Sequence, residues 1–324
     1  MNKYSVISFP VFGIEWDPQR YFAIGPLNVY VYGIIIAAGL LLAVWYAYRR
    51  SHQFGLVPDD IADGVLCVTP FAFLCARLYY CAFYWNEGGY GENLLSILYI
   101  WEGGIAIYGG VIGAALGILV FCKVKKLKVG AVLDIVALGF LIGQCVGRWG
   151  NFINREAFGS ETMSFMRMGL YNTVTKTVEY HHPTFLYESL WNLLGFVGLH
   201  FFSKRRKYDG QVALCYVAWY GLGRTLIEGL RTDSLYLGAF RVSQLLAALS
   251  CAVALLILIW QWMHVHEPAD LFVNQVALAK AEAEAAAAAE EETDEVPEEE
   301  ETEEVPAEEL PVEEEEEQET AENE

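Results

Sequence analysis

The chain has 324 residues and a formal net charge of -20, yet 55% of its residues are hydrophobic, 14% are aromatic and the mean hydropathy is +0.29. That composition excludes an ordinary soluble domain of this length and points to burial in a bilayer. The charge is local: residues 281–324 hold 23 acids and no base, leaving 18 acids against 21 bases elsewhere, so the acidity says nothing about the surface of the folded part.

The first 26 residues carry Pro10, Glu15, Asp17 and Pro26 and lack a charged start followed by an apolar run, so no cleavable signal peptide is expected. A helix crosses a hydrocarbon layer of roughly 30 Å with about 20 apolar residues. Seven stretches meet that need: 27–48, 62–84, 104–122, 130–148, 183–203, 211–230 and 241–263. Basic residues follow the odd-numbered spans: Arg49 and Arg50 after the first, Lys123, Lys125, Lys126 and Lys128 after the third, and Lys204, Arg205, Arg206 and Lys207 after the fifth. Short loops rich in Lys and Arg stay in the cytoplasm, which predicts an N-terminus outside and a C-terminus inside. The expected fold is therefore all-α, a polytopic membrane protein of seven transmembrane helices. Its parts are an outer segment, 1–26; a seven-helix domain, 27–263, with outer loops at 85–103, 149–182 and 231–240; and a cytoplasmic acidic tail, 264–324. Glutamate runs broken by Val-Pro steps cannot bury enough apolar surface to fold, so the tail reads as disordered.

All seven cysteines lie in apolar stretches without CxxC spacing and read as small core residues. Charged groups at membrane depth are a different matter, since each costs at least a few kcal/mol near the bilayer centre and asks for a partner or a purpose. Arg224, Glu228 and Arg231 recur at i, i+4 and i+7 on one helical face, either as a structural ion-pair stripe or as a functional cluster. The stretch Gly147-Arg148-Trp149-Gly150-Asn151-Phe152-Ile153-Asn154-Arg155-Glu156 leaves the fourth span. Its glycines, asparagines and arginines suggest backbone amides and guanidinium forks arranged around an anion, or simply a snorkelling Arg148 followed by a turn. His182-Pro183-Thr184 opens the fifth span, with Glu188 and Asn192 one turn apart inside it. Gly109, Gly113 and Gly117 form a small-residue ridge suited to close helix packing, with Tyr108 beside it. Tyr32 in the first span reads as an interfacial anchor.

The run from Gly147 to Asn154, with Glu156 and Gly159, resembles the signature of the prolipoprotein diacylglyceryl transferase family. It is joined in order by Val31-Tyr32-Gly33, Ala76-Arg77-Leu78, Trp101-Glu102-Gly103-Gly104 through Tyr108-Gly109-Gly110, His182-Pro183-Thr184 through Tyr187-Glu188, and Gly221-Leu222-Gly223-Arg224 through Glu228. The similarity covers about residues 20–262 and leaves out the acidic tail. It implies a seven-helix enzyme of the bacterial cytoplasmic membrane with its active centre open to the outer leaflet. Phosphatidylglycerol and the lipobox cysteine of prolipoprotein signal peptides would be its substrates, a thioether and glycerol phosphate its products, with no metal or cofactor. By motif position the resemblance carries functional roles to Tyr32, Arg148, Asn151, Glu156, Gly159, Arg224 and Glu228; Asn154, His182 and Glu188 join them as substrate-binding candidates. Some members have a histidine where this chain has Tyr108, and a tyrosine, with an unperturbed pKa near 10, is a poor base at neutral pH.

The expected chemistry is displacement at a glycerol carbon with a phosphate ester leaving. Arg148 and Arg224 would hold the phosphate, oriented by Glu228 and Glu156, while Asn151 bonds the head group. Glu228 or another nearby carboxylate would accept the thiol proton and Tyr108 would bond the substrate. Two other classes fit a polytopic chain. A small-solute transporter would show repeated halves and broken helices, and no internal repeat is visible. A non-catalytic scaffold would act through its acidic tail.

Overall fold

The computed structural model describes residues 3–25, 27–91, 93–99, 103–232, 236–237 and 240–294. The expectation of a disordered tail falls, from residue 295 onward, outside the described residues, as do Trp101 and Glu102 of the third motif. The chain divides into two compact units, Met1–Ala279 and Lys280–Glu324.

Seven long helices occupy the places of the seven apolar stretches: α1 (Val31–Arg50), α2 (Pro58–Phe83), α3 (Ile107–Lys125), α4 (Val129–Asn154), α5 (Thr184–Phe202), α6 (Gln211–Glu228) and α7 (Val242–Trp262). An eighth, α8 (Phe272–Asp294), follows. Five segments are long and apolar enough to cross a membrane: Val31–Phe54, Pro58–Phe83, Ile107–Lys125, Val129–Asn154 and Val242–Trp262. The protein is thus mainly helical and seated in a membrane. The 19-residue α5 and the 18-residue α6 are of similar length but carry Glu188, Asn192, Arg224 and Glu228, polar groups that lower their apolar character.

Local chemistry explains the helix ends. Pro58 opens α2, where its missing N–H costs nothing, with Asp59 and Asp60 in the first turn and the Asp60 carboxylate accepting from Val57 N at 3.1 Å. Arg49 and Arg50 close α1, and Lys123 and Lys125 close α3, where the helix dipole favours cations. The glycine ridge of α3 does what its spacing predicts. A Cβ on Gly113 would come within 2.5 Å of Cys75 Cβ, and one on Gly109 within 2.7 Å of Cys75 O, so only glycine lets α3 pack this closely on α2. The cysteines divide: Cys81 and Cys122 are buried, four are intermediate, and Cys67 is exposed on the apolar surface of α2, against the expectation that all seven are core.

The helical bundle is not the whole fold. The N-terminal segment, expected only as an outer segment with no element assigned to it, forms β1 (Tyr4–Phe9) and β2 (Ile14–Trp16), which join β5 (Met168–Asn172) and β6 (Thr177–His181) in an antiparallel sheet of order β2-β1-β5-β6. Two hairpins, β3 (Tyr21–Ile24) with β4 (Leu27–Tyr30) and β7 (Tyr236–Leu237) with β8 (Phe240–Arg241), lead into α1 and α7. Ile7, Met168 and Leu170 of the sheet pack with Phe152, Ile153 and Phe185 at the adjoining ends of α4 and α5. The sheet therefore caps the bundle at the end where α4 stops and α5 starts.

At the opposite end a second buried cluster holds Phe54, Leu56, Ile135, Leu138 and Val212, with Phe272 packed against it. Here the fully buried Asp134 accepts from Gly210 N at 3.0 Å and Ala213 N at 2.9 Å, fixing the start of α6 on α4. Arg77, the charge expected to interrupt the second span, is satisfied by carbonyls of the following loop: Ile97 at 2.8 Å, Ser96 and Gly103 at 2.7 Å and Gly104 at 3.0 Å. Its role is to fold the loop that delivers α3.

Candidate active site

The signature segment is helical where a loop was expected. The outer loop was placed from residue 149, but α4 runs to Asn154 and ends at Arg155, whose φ of 54° lies in the left-handed region. Arg155 N and Glu156 N donate to Phe152 O and Asn151 O at 3.1 Å each, closing the last turn. An arginine holds this glycine-like conformation because its side chain is anchored: it donates to Ser5 O at 2.5 Å, Ile153 O at 2.8 Å and Pro18 O at 3.0 Å, and pairs with Asp17. Burial lowers the pKa of this guanidinium from its usual value.

Being helical, the segment sorts its residues by face. Gly147 and Gly150 turn toward α1, where a Cβ on Gly150 would lie 2.6 Å from the Tyr32 ring and one on Gly147 3.2 Å from Ile36. These glycines admit a neighbouring helix; they do not line an anion-binding turn. Arg148 and Asn151 turn the other way. Arg148 pairs with Glu188 of α5 and donates to Asn151 Oδ1 at 3.4 Å. Asn151 and Asn154 in turn donate to Glu156 Oε1 at 2.9 and 3.3 Å. Glu156 therefore gathers the two amides and orients neither arginine, contrary to expectation.

Glu188 is the hub. Its carboxylate receives Arg148, accepts from Arg224 Nη1 at 3.1 and 3.3 Å, and lies 3.6 Å from Arg231. Arg224 also reaches Glu228 at 2.6 Å, as the i, i+4 spacing predicts, and Arg231 lies 3.9 Å from the same carboxylate. Glu228 further accepts from the Ser243 hydroxyl at 2.5 Å, and its backbone carbonyl accepts from Arg241. Ser243 and Arg241 were absent from the sequence reading; the signal available was an arginine and a serine at the first turn of an otherwise apolar helix. Glu188 and Glu228 are almost wholly buried, while the side chains of Arg148 and Arg224 keep 20% and 16% of their surface exposed. Such a grouping has two fully engaged carboxylates behind two guanidiniums that each keep an open edge. It offers an anion donors that are already desolvated and held in place, so only the anion's own hydration has to be replaced.

The remaining candidates fall into two sets. Gly159 and His182 are stitching elements: Gly159 N donates to His182 O at 2.9 Å, Ser160 N to Leu230 O at 2.7 Å, and a Cβ on Gly159 would lie 2.7 Å from His182 Cβ. They hold the exit of α4 against the start of α5 and the end of α6. The His182 ring lies 3.4 Å from the Tyr187 hydroxyl. Tyr32 and Tyr108 stand at the first turns of α1 and α3, 37% and 41% exposed, and among the described residues neither hydroxyl has a hydrogen-bond partner. They are not brought into the arginine cluster.

Apolar helices long enough to cross a membrane, with arginine and carboxylate side chains gathered at one end of them, define a multi-pass membrane protein whose intramembrane charges ask for a purpose beyond packing. The sequence profile of the family described as prolipoprotein diacylglyceryl transferase matches residues 19–260. Among curated proteins, the chain is 43% identical over 243 residues to a phosphatidylglycerol–prolipoprotein diacylglyceryl transferase of Limosilactobacillus reuteri (strain DSM 20016), covering 72% of this chain and 88% of the relative. It is 43% identical over 249 residues to that of Bacillus velezensis, covering 75% and 91%, and 42% identical over 245 residues to that of Streptococcus sanguinis, covering 74% and 93%. The chain belongs to the prolipoprotein diacylglyceryl transferase family. It is a membrane-bound transferase of lipoprotein biosynthesis, which sets aside the solute-transporter and scaffold alternatives.

Proposed function

We propose that the chain transfers the sn-1,2-diacylglyceryl group of phosphatidylglycerol to the lipobox cysteine of prolipoproteins, at the outer leaflet of a bacterial cytoplasmic membrane. The observation that carries the reading is the convergence of Arg148 and Arg224, from two helices, on the one buried carboxylate of Glu188. The lipid phosphate lies against the open edges of these guanidiniums. The thiolate sulfur attacks the glyceryl carbon that bears the phosphate, forming the S–C bond as the C–O bond breaks. The electron pair leaves on the phosphate oxygen facing the arginines, and the thiol proton ends on the glycerol phosphate released.

Charge develops on the departing oxygen, so preorganised guanidiniums lower the barrier. The same positive field favours thiolate over a thiol of ordinary pKa about 8.5. Glu228, engaged by Arg224 and Ser243, orients the arginines and does not take the proton. Asn151 accepts from Arg148 and donates, as Asn154 does, to Glu156, and this polar group faces the head group. Tyr32 and Tyr108, with uncommitted hydroxyls at the first turns of two helices, bond the lipid or the incoming peptide.

This reading places α1 to α7 across the membrane, the N-terminus and sheet outside, and residues 264–324 in the cytoplasm. The basic ends of α1 and α3 and the run Lys204–Lys207 after α5 support that direction. Incubating the purified full chain with phosphatidylglycerol and a lipobox peptide tests the function. A diacylglyceryl mass gain on the peptide cysteine is expected, and an unmodified peptide in the presence of intact lipid overturns the reading.

A further inference from the structure

The pairing of β1 with β5 is irregular. It runs from Tyr4↔Asn172 to Ile7↔Leu170, three steps on one strand against two on the other. A bulge of this kind bends the strand and re-aims its groups. The two carbonyls at the bulge each hold an arginine: Arg20 Nη2 donates to Tyr4 O at 2.9 Å, and Arg155 Nε to Ser5 O at 2.5 Å. These four residues, with Asp17, line an open cleft of about 560 Å³ where the sheet meets the end of α4.

The two guanidiniums are not equivalent. Arg155 is fully committed, to three carbonyls and to Asp17, and its side chain is 2% exposed. Arg20 is half-buried, and among the described residues Tyr4 O is its one hydrogen-bond partner. Burial lowers its pKa from the usual value, and Asp17 and Glu156 offset this only through space, being engaged by Arg155 and by Asn151 and Asn154 respectively. A guanidinium drawn partly out of water against one neutral acceptor keeps donors open for a carboxylate.

The distance to the arginine cluster indicates which carboxylate. Arg155 follows Arg148 by seven residues along α4, about 10 Å at 1.5 Å per residue. An extended peptide advances about 3.3 Å per residue, so one whose cysteine lies at Arg148 reaches the cleft about three residues later. Ahead of the cysteine a signal peptide is apolar and belongs to the bilayer. Behind it the chain is bound for the outer face, where the cleft opens.

We propose that this cleft is a subsite for the prolipoprotein segment that follows the modified cysteine, and that Arg20 gives the enzyme a preference for a carboxylate two to four residues after it. The inference rests on the transferase reading and on its placement of the sheet outside. Arg20 binds the peptide and takes no part in the displacement, so its effect falls on KM and leaves kcat in place.

The test compares kcat and KM of the full chain for two lipobox peptides identical through the cysteine, one with Asp and the other with Asn at the second to fourth positions after it. Neutral detergent micelles with a small fraction of phosphatidylglycerol keep the lipid surface from repelling either peptide. Wild-type enzyme is expected to favour the Asp peptide by about fivefold in KM, the scale of one partly exposed ion pair. Arg20→Gln is expected to bring that ratio toward one by weakening the Asp peptide alone, and Arg20→Glu to reverse it. A ratio that Arg20→Gln leaves unchanged overturns the proposal, as does a variant that depresses both peptides in equal proportion, the mark of a structural role. Inhibition by added glycerol phosphate that Arg20→Gln relieves, without any peptide preference, overturns it in favour of a product site. Transfer to neither peptide by the wild-type chain instead overturns the transferase reading beneath it.

Discussion

Trp191 of α5 and Trp219 of α6 lie face to face, with ring centroids 4.3 Å apart and planes inclined at 17°, and each indole donates to the other's backbone carbonyl, at 3.0 and 2.9 Å. The clasp sets the register of the two helices that carry Glu188 and Arg224. It also explains two glycines: a Cβ on Gly195 would strike the Trp219 ring and one on Gly223 the Trp191 ring. Replacing either tryptophan by phenylalanine removes one indole donor, so a loss of about 1 kcal/mol in stability is expected, with a larger loss of transfer rate as the arginine geometry loosens. The double variant should cost less than the sum of the two, since each bond depends on the stack that the other helps to hold. Thermal unfolding in detergent and initial rates on the lipobox peptide measure both effects.

Arg148→Ala and Arg224→Ala are each expected to lower the transfer rate by about 100-fold or more, the scale seen when a preorganised donor to a developing negative charge is removed. Lysine at either position should restore little. Arg148 serves Glu188 and Asn151 at once, and Arg224 serves Glu188 and Glu228, tasks that need the planar fork of a guanidinium. Glu188→Gln should impair both arginines together. Retention of full activity by Arg148→Ala or Arg224→Ala in a membrane assay would remove the phosphate role from this pair.

What could be read in advance was whatever spacing along one helix decides. The seven helices lie where apolar runs of sufficient length occur, Arg224 finds Glu228 four residues on, and the Gly109–Gly113 ridge meets α2. Choices made between helices were not legible. The partner of Arg148 is Glu188 and not Glu156, because the rotation of α4 against α5 decides which carboxylate faces it. The sheet was missed for a related reason: β1 pairs with β5 across more than 150 residues, and the three-residue β2 is too short to declare itself by alternation. Gly147 and Gly150 were misread because glycine in a polar run signals a turn as readily as close packing, and only the continuation of α4 to Asn154 separates the two.

The sheet carries a pH-sensitive tether. Glu179 of β6 accepts from the Tyr4 hydroxyl at 2.6 Å and from Asn172 at 2.5 Å, with Lys3 3.5 Å away. The Tyr4 bond first, then the Asn172 bond, hold its pKa at about 2, well below the usual 4.5. A carboxyl whose folded pKa is depressed stabilises fully above its unfolded value and loses that contribution as pH falls through the folded one. The stability advantage of the native chain over Glu179→Gln should therefore be level above about pH 4.5, shrink below it and vanish near pH 2. Hydrogen exchange of the β1 and β5 amides, followed across that range in both proteins, reads the difference. An advantage unchanged between pH 5 and pH 2 would show that the carboxylate is not the tether.

Where the chain is shortened decides what a truncation reports. Phe272 packs against the buried cluster around Phe54 and Leu138, and its amide donates at 2.8 Å to Asp209, a carboxylate with no exposed surface. Lys128 binds the same carboxylate at 3.1 Å and reaches Asp270 O at 2.5 Å. Deleting residues from 268 onward would remove Phe272 and one donor to a buried charge, costing about 2 kcal/mol for the ring alone. A fall in activity there would reflect weakened packing between α4 and α6. Deleting 281–324 keeps every one of these contacts and removes the 23 acids. That shorter cut is expected to leave transfer within about twofold of the intact chain, because no residue of the arginine cluster and none of its supports lies beyond Phe272. Measured on the same peptide and lipid, a severe loss from the 281–324 deletion would assign the acidic segment a part in the reaction that the arginine site does not supply.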